Sequence, residues 1–227
     1  MLNTNITRLI INIQSSFYLV CGWCQRRWYY PNKPVILSVQ DIGLFSIKRG
    51  LAYKIRTLLA VPLFDLNAED LQAYDVVVNA FGAAPGQEHL HVEAGRVLIQ
   101  ALKGLARTRL IVVGGAGSLF VDEAKTVRLM DTAEFPKEYY ATASNQGQNL
   151  QDLQQSADVQ WTFISPAAFF DPQGKQTGSY KKGKDHLITN EKGQSYVSYA
   201  DYAVAVLDEI ESPQHKNERF TVVSESE

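Results

Sequence analysis

Cysteine is scarce in this chain: two of 227 residues, Cys21 and Cys24. A disulfide scaffold is thereby excluded, and a reducing, cytoplasmic setting is expected. Long apolar runs are also missing. The longest, from Leu9 to Trp23, is broken by Asn12, Gln14, Ser15 and Ser16. It falls short of the roughly 20 residues a membrane helix needs, and it is too ragged for a secretory signal. Neither sign of charge prevails: the formal net charge of -2 argues against a nucleic-acid partner. What remains is a globular composition, 45% hydrophobic and 20% charged, enough for one large domain with a sizeable core.

The averages conceal a break. Residues 1–60 lack glutamate altogether and hold one acid, Asp41, against eight basic side chains. Their formal charge is +7, and the remainder carries -9. Such asymmetry marks a basic arm or a separate segment. Glycine is thin here too, with Gly22, Gly43 and Gly50 only. Cys21-Gly22-Trp23-Cys24 matches a thioredoxin-type site in those four residues, and the cations Arg26 and Arg27 would favour a thiolate. The Arg-Arg-Trp-Tyr-Tyr-Pro that follows is a poor helix opening, so the cysteines are read as incidental. The four histidines, His89, His91, His186 and His215, show no zinc-ligand spacing; no metal is expected.

From residue 61 the texture becomes strand–helix alternation. Asn67-Ala68-Glu69-Asp70-Leu71 opens a helix, with Asn67 as N-cap and Asp70 at the third position. Asp75 to Phe81 is a continuous apolar run of the kind that forms a strand buried on both faces. The spacing predicts helices over 91–106, 142–156 and 200–211, and further strands over 109–113, 159–164 and 219–223. Tyr180 to Tyr199 reads as a β-excursion that turns at Glu191-Lys192-Gly193-Gln194. This alternation implies a doubly wound parallel sheet, and such sheets bind ligands beyond the carboxyl ends of their strands. Three strand ends carry small residues: Ala80-Phe81-Gly82, Gly114 to Ser118, and Ser165-Pro166-Ala167. Missing side chains let a flat ligand or a phosphate approach the backbone.

In order and spacing, several stretches resemble one family. They are Phe64 to Leu71, Asp75 to Ala83, Val112 to Leu119, Ser165 to Phe170, and Ser198-Tyr199-Ala200-Asp201-Tyr202-Ala203. The family is that of the atypical short-chain dehydrogenase/reductases of NmrA-like type, and within it the small bacterial proteins described as NADH-flavin reductases. The resemblance spans about residues 61–223. It implies a single Rossmann-like domain binding NAD or NADP. Asp65 and Leu66 would border the adenine, and Phe81, Gly82 and Ala83 would run beside the adenosine and pyrophosphate. Gly115 and Ser118 would lie near the nicotinamide ribose, and Ser165, Pro166 and Ala167 by the nicotinamide ring. The implied reaction is hydride transfer to a small planar acceptor, a flavin or quinone. Ser118 and Tyr140 are the candidate hydrogen-bond donors to it, and Phe169-Phe170 a candidate wall. Neither nucleic acid nor membrane is an expected partner, and a homodimer is left open.

Two departures matter. Short-chain enzymes use a Tyr-x-x-x-Lys pair for proton transfer, whereas Tyr139 is followed at that spacing by Ala143 and Tyr140 by Ser144. A tyrosine-acid alcohol dehydrogenase is therefore not expected; an NAD(P)-sensing regulator, or a member defective in cofactor binding, stays open beside the reductase. The family also opens on a strand and a Gly-x-x-Gly-x-x-Gly loop that holds the pyrophosphate, which residues 1–60 do not contain. Shifted by one nucleotide, the codons of Cys21 to Tyr30 permit Val-Ala-Gly-Ala-Asn-Gly-Gly-Gly-Ile-Ile, a strand end and glycine loop of the family's kind. Residues 1–60 are accordingly expected to be a frame-disturbed first strand–helix–strand unit.

Overall fold

The computed structural model describes residues 8–13, 35–40, 57–59 and 63–226. Cys21, Cys24 and the segment expected to hold a displaced glycine loop lie outside them. Ten strands are described: β1 Arg8–Ile13, β2 Val35–Gln40, β3 Thr57–Leu59, β4 Val76–Ala80, β5 Arg109–Val113, β6 Gln160–Ser165, β7 Phe169–Asp171, β8 Lys181–Gly183, β9 Tyr196–Ser198 and β10 Glu218–Val223. The helices are α1 Ala68–Leu71, α2 Leu90–Leu102, α3 Lys137–Gln155 and α4 Tyr199–Glu211.

Eight strands form one sheet in the order β3-β2-β1-β4-β5-β6-β10-β8. Its centre, β1-β4-β5-β6-β10, is parallel throughout. The helices supply the crossovers that parallel neighbours need: α2 joins β4 to β5, α3 joins β5 to β6, and α4 leads into β10. The edges depart from the expected all-parallel pattern. β2 pairs antiparallel with β1, β3 with β2, and β8 with β10. The carboxyl end of β2 therefore points opposite to those of β1 and β4.

Alternation along the strands feeds two cores. Val77 of β4 joins Leu110, Val112, Trp161 and Phe163 under α2 and α3, with Leu98, Leu102, Leu150 and Leu153. Val76 and Val78 face the other way, onto Tyr202, Ala205 and Ile210 of α4 and onto Ile111, Ile164, Phe220 and Val222. Leu98, Leu102, Leu110 and Leu153 are fully buried, and each such side chain contributes about 1.5–3 kcal/mol. Helices thus cover both faces, as the doubly wound reading requires.

The Asn67 capping box forms as read: Asn67 Oδ1 accepts from the Glu69 N–H at 2.8 Å, and Asp70 accepts from the Asn67 N–H at 3.0 Å. Its helix is a single turn. α3 begins at Lys137, five residues before the expected start, directly after Pro136, which stands in extended conformation at the N-cap. The excursion after Tyr180 is not a hairpin. β8 joins the main sheet, and β9 pairs in parallel with β7 in a separate two-stranded sheet. Its turn forms where expected, with Gly193 at φ +74° and the Asn190 side chain accepting from the N–H groups of Lys192 and Gln194.

Candidate functional site at the strand ends

The three small-residue segments follow β4, β5 and β6, adjacent strands running the same way. All three therefore emerge along one end of the sheet. After β4, Asn79 Oδ1 accepts from the Phe81 N–H at 3.2 Å. Phe81 is buried edge-on against His91 of α2, ring centroids 5.5 Å apart. His91 Nε2 accepts from the Ala83 N–H at 3.4 Å, so the imidazole serves as a neutral acceptor. Burial pushes its pKa down to about 4. Gly82 and Ala83 stay partly exposed, leaving backbone accessible at this strand end.

After β5 the loop is pressed onto α3. A Cβ on Gly117 would lie 2.5 Å from the Cβ of Ala143, and one on Gly115 would collide with Gln146 Oε1. Gly117 is thus required by close approach rather than by turn geometry, whereas at Gly115 only the movable end of a side chain stands in the way. Gly114, Gly117 and Ser118 are buried, while Gly115 and Ala116 remain partly exposed. Ser118 is tied down: Nη1 of Arg219 donates to both its Oγ and its carbonyl, each at 3.0 Å. Nε of the same guanidinium donates to Asp185 Oδ1 at 3.0 Å, and Lys125 pairs with Asp185 at 2.9 Å.

After β6 the situation reverses. Ser165 is fully buried, yet its Oγ has no hydrogen-bond partner. Thr221, its register partner on β10, is equally buried and equally without one, and a buried hydroxyl without a partner costs about 1–3 kcal/mol. Around it, α4 supplies the support. Tyr202 donates to the Ile164 carbonyl at 2.7 Å. The buried Asp201 carboxylate accepts from the N–H groups of Thr177 and Gly178 and from the Thr177 hydroxyl, and Ser198 caps α4 through the Asp201 N–H. The Ser-Tyr-Ala-Asp-Tyr motif is thus a structural clamp under the strand end.

The structure distributes the expected site residues unevenly. Asp65 is exposed, but Leu66 belongs to the core and can offer only backbone. Gly82, Ala83, Gly115, Ser165, Pro166 and Ala167 share the strand-end region, with Pro166 and Ala167 buried. Tyr140 lies on the first turn of α3, 48% exposed, one turn before Ala143. Phe169 is exposed, whereas Phe170 packs on Tyr199 and Tyr202 at 4.0 and 4.8 Å; the two do not form one wall. Sequence reading missed Arg219 and Gln146. A basic residue opening a buried strand was the available signal for the first, and a glutamine at helical spacing from Ala143 for the second. A cleft of about 380 Å³, lined by Tyr180, Lys182, Asp208 and Phe220, lies against α4 and takes no residue from the three loops. Among the described residues, no group of His, Cys, Asp or Glu gathers as metal ligands.

The sequence profile described as NAD(P)H-binding matches residues 65–213, more than half of the chain. The chain belongs to this NAD(P)H-binding family. It is 73% identical over 170 residues to the uncharacterised protein YwnB of Bacillus subtilis, covering 75% of this chain and 80% of that protein. Among solved structures it is similar to a Streptococcus pneumoniae protein provisionally named an NADH-flavin reductase. They share 41% identity with a TM-score of 0.73, over 76% of this chain and 82% of that one. A Bacteroides thetaiotaomicron protein provisionally named an epimerase is also similar, at 33% identity and TM-score 0.62, over 73% and 74% of the two chains. At the strand ends, Gly82, Ala83, Gly115 and Ala116 are partly exposed. Among the described residues, no helix is long and apolar enough to cross a membrane.

Proposed function

We propose that the protein is an NAD(P)H-dependent oxidoreductase that reduces flavin or a related planar acceptor. The observation that carries this reading is the set of small-residue segments after β4, β5 and β6, gathered at one end of the parallel centre of the sheet. The family match and the reductase name of the pneumococcal neighbour support it. NAD(P)H, when bound, supplies the hydride, and a solvent proton completes reduction of the acceptor. Asp65 and the Leu66 backbone border the adenine, and Phe81, Gly82 and Ala83 form the wall along the adenosine and pyrophosphate. Gly115 offers backbone to the nicotinamide half, with Ser165, Pro166 and Ala167 against its ring. Tyr140 and Ser118 are the candidate donors to the acceptor. Ser118 accepts from Arg219, so its own proton points elsewhere. Orientation of donor and acceptor supplies most of the rate in such a reaction, which is why it dispenses with a Tyr-Lys pair.

The test mixes purified protein with NADPH or NADH and free flavin and follows loss of the reduced nicotinamide absorbance. Turnover is expected. Tight binding without turnover makes the protein a sensor, and absence of binding makes it a defective member. With this reading goes a frame-disturbed origin for residues 1–60. The profile match beginning at residue 65 and the antiparallel β1–β2 pair support it. Sequencing the locus tests it, and an intact frame shared by close relatives overturns it.

A further inference from the structure

We infer that this chain does not read the 2′ position of the adenosine ribose, and so takes NAD and NADP with like affinity. The inference rests on the strand-end reading above and deepens it.

In a doubly wound dinucleotide fold, the second strand runs parallel to the first. A residue at its carboxyl end then reaches the ribose: an acid bonds the free 2′-hydroxyl, or an arginine the 2′-phosphate. Here that strand is reversed. Ile13, the last residue of β1, pairs with Ala80 at the end of β4 on one side and with Val35 at the start of β2 on the other. Gln40, the last residue of β2, pairs with Arg8, the first of β1. β2 thus begins at the end of the sheet where Phe81, Gly82 and Ala83 emerge. It finishes at the opposite end, about 17 Å away at the rise of an extended strand. No side chain spans that gap, so the carboxyl end of β2 cannot serve a ribose bound at the strand ends.

The displacement is confined to β2. β3 runs back towards the strand ends, its last residue, Leu59, pairing with Ile36. The chain then reaches Phe64, whose ring meets that of Phe81 edge-on at 6.3 Å. The segment beside the adenine is therefore where the strand-end reading needs it, and only the ribose-reading position has moved. Asp65, next to Phe64, is exposed; its charge acts through water and is screened by salt. A hydrogen bond to a charged group at the 2′ position is worth about tenfold or more in affinity. Without one, the two dinucleotides should differ by less than that.

Calorimetric titration of the full chain with NAD⁺ and with NADP⁺ tests the inference. Dissociation constants less than about tenfold apart are expected. A larger difference in either direction, or binding of one dinucleotide alone, would overturn the inference and leave the strand-end reading standing. Binding of neither would overturn both. Asp41→Asn gives a second measurement, because Asp41 follows Gln40 in sequence and holds the place of an NAD-selecting acid. The ratio of the two affinities should be the native one in this variant, whatever the variant does to stability. A shift of the ratio towards NADP⁺ by about threefold or more would show that Asp41 reads the ribose, against the inference.

Discussion

Ser118 follows β5 and Ser165 closes β6, two neighbouring parallel strands, yet their hydroxyls are in opposite states. Ser118 is held by a guanidinium that arrives from 101 residues away. Ser165 is more deeply buried and holds nothing. At one loop the hydroxyl oxygen accepts from a brace: the chain Lys125–Asp185–Arg219–Ser118 fastens the segment after β5 to the segment after β8. The other keeps a buried hydroxyl without a partner. A serine at a strand end is thus engaged or left unpaired according to what the distant chain brings to it.

The comparison breaks most readily at Arg219. Arg219→Ala removes the buried donor to Ser118 and one of the two cations at the partly exposed Asp185, which keeps Lys125, and should cost about 2–3 kcal/mol in urea unfolding, the range for lost hydrogen bonds to a charged group. A loss below about 1 kcal/mol would show that the brace is incidental. The β4 strand end offers a second contrast, through His91. Its folded pKa of about 4 lies below the ordinary value of about 6.5, so the unfolded chain takes up the proton first as pH falls. Stability should be complete above about pH 6.5 and decline by roughly 3 kcal/mol towards pH 4, where the folded group titrates too. His91→Gln keeps an acceptor for Ala83 and should flatten that part of the curve; an unchanged slope assigns the pH dependence elsewhere.

Smaller effects sharpen the pair itself. Ser118→Ala removes one bond from Arg219, which keeps the Ser118 carbonyl, and should cost about 1 kcal/mol by thermal unfolding. Ser165→Ala removes a hydroxyl with no partner. Its stability should stay within about 0.5 kcal/mol of native or rise, while dinucleotide affinity falls about 3- to 10-fold. The reverse result, lost stability with unchanged affinity, would make Ser165 a second brace.

Much of this was legible in sequence. The β4 run Val76-Val77-Val78 has the unbroken apolarity of a strand between two helical layers, and both layers are present. Asn67 and Asp70 announced their capping box. The three small-residue strand ends were visible, and the parallel centre of the sheet followed from alternation. The edges were not visible: Lys181-Lys182-Gly183 has no strand signature, and β8 exists because β10 offers it an unpaired edge. Nor were the roles of Ser118 and Leu66. Each depends on contacts across tens of residues that no local pattern encodes.

The sequence by itself determined a doubly wound α/β chain whose strand ends are built for close approach, because periodicity and missing side chains are local properties. Only the tertiary structure decided which polar groups at those ends are engaged and which are free. A hydrogen bond depends on distance and direction, and Arg219 meets Ser118 only once the sheet has brought β10 beside β6.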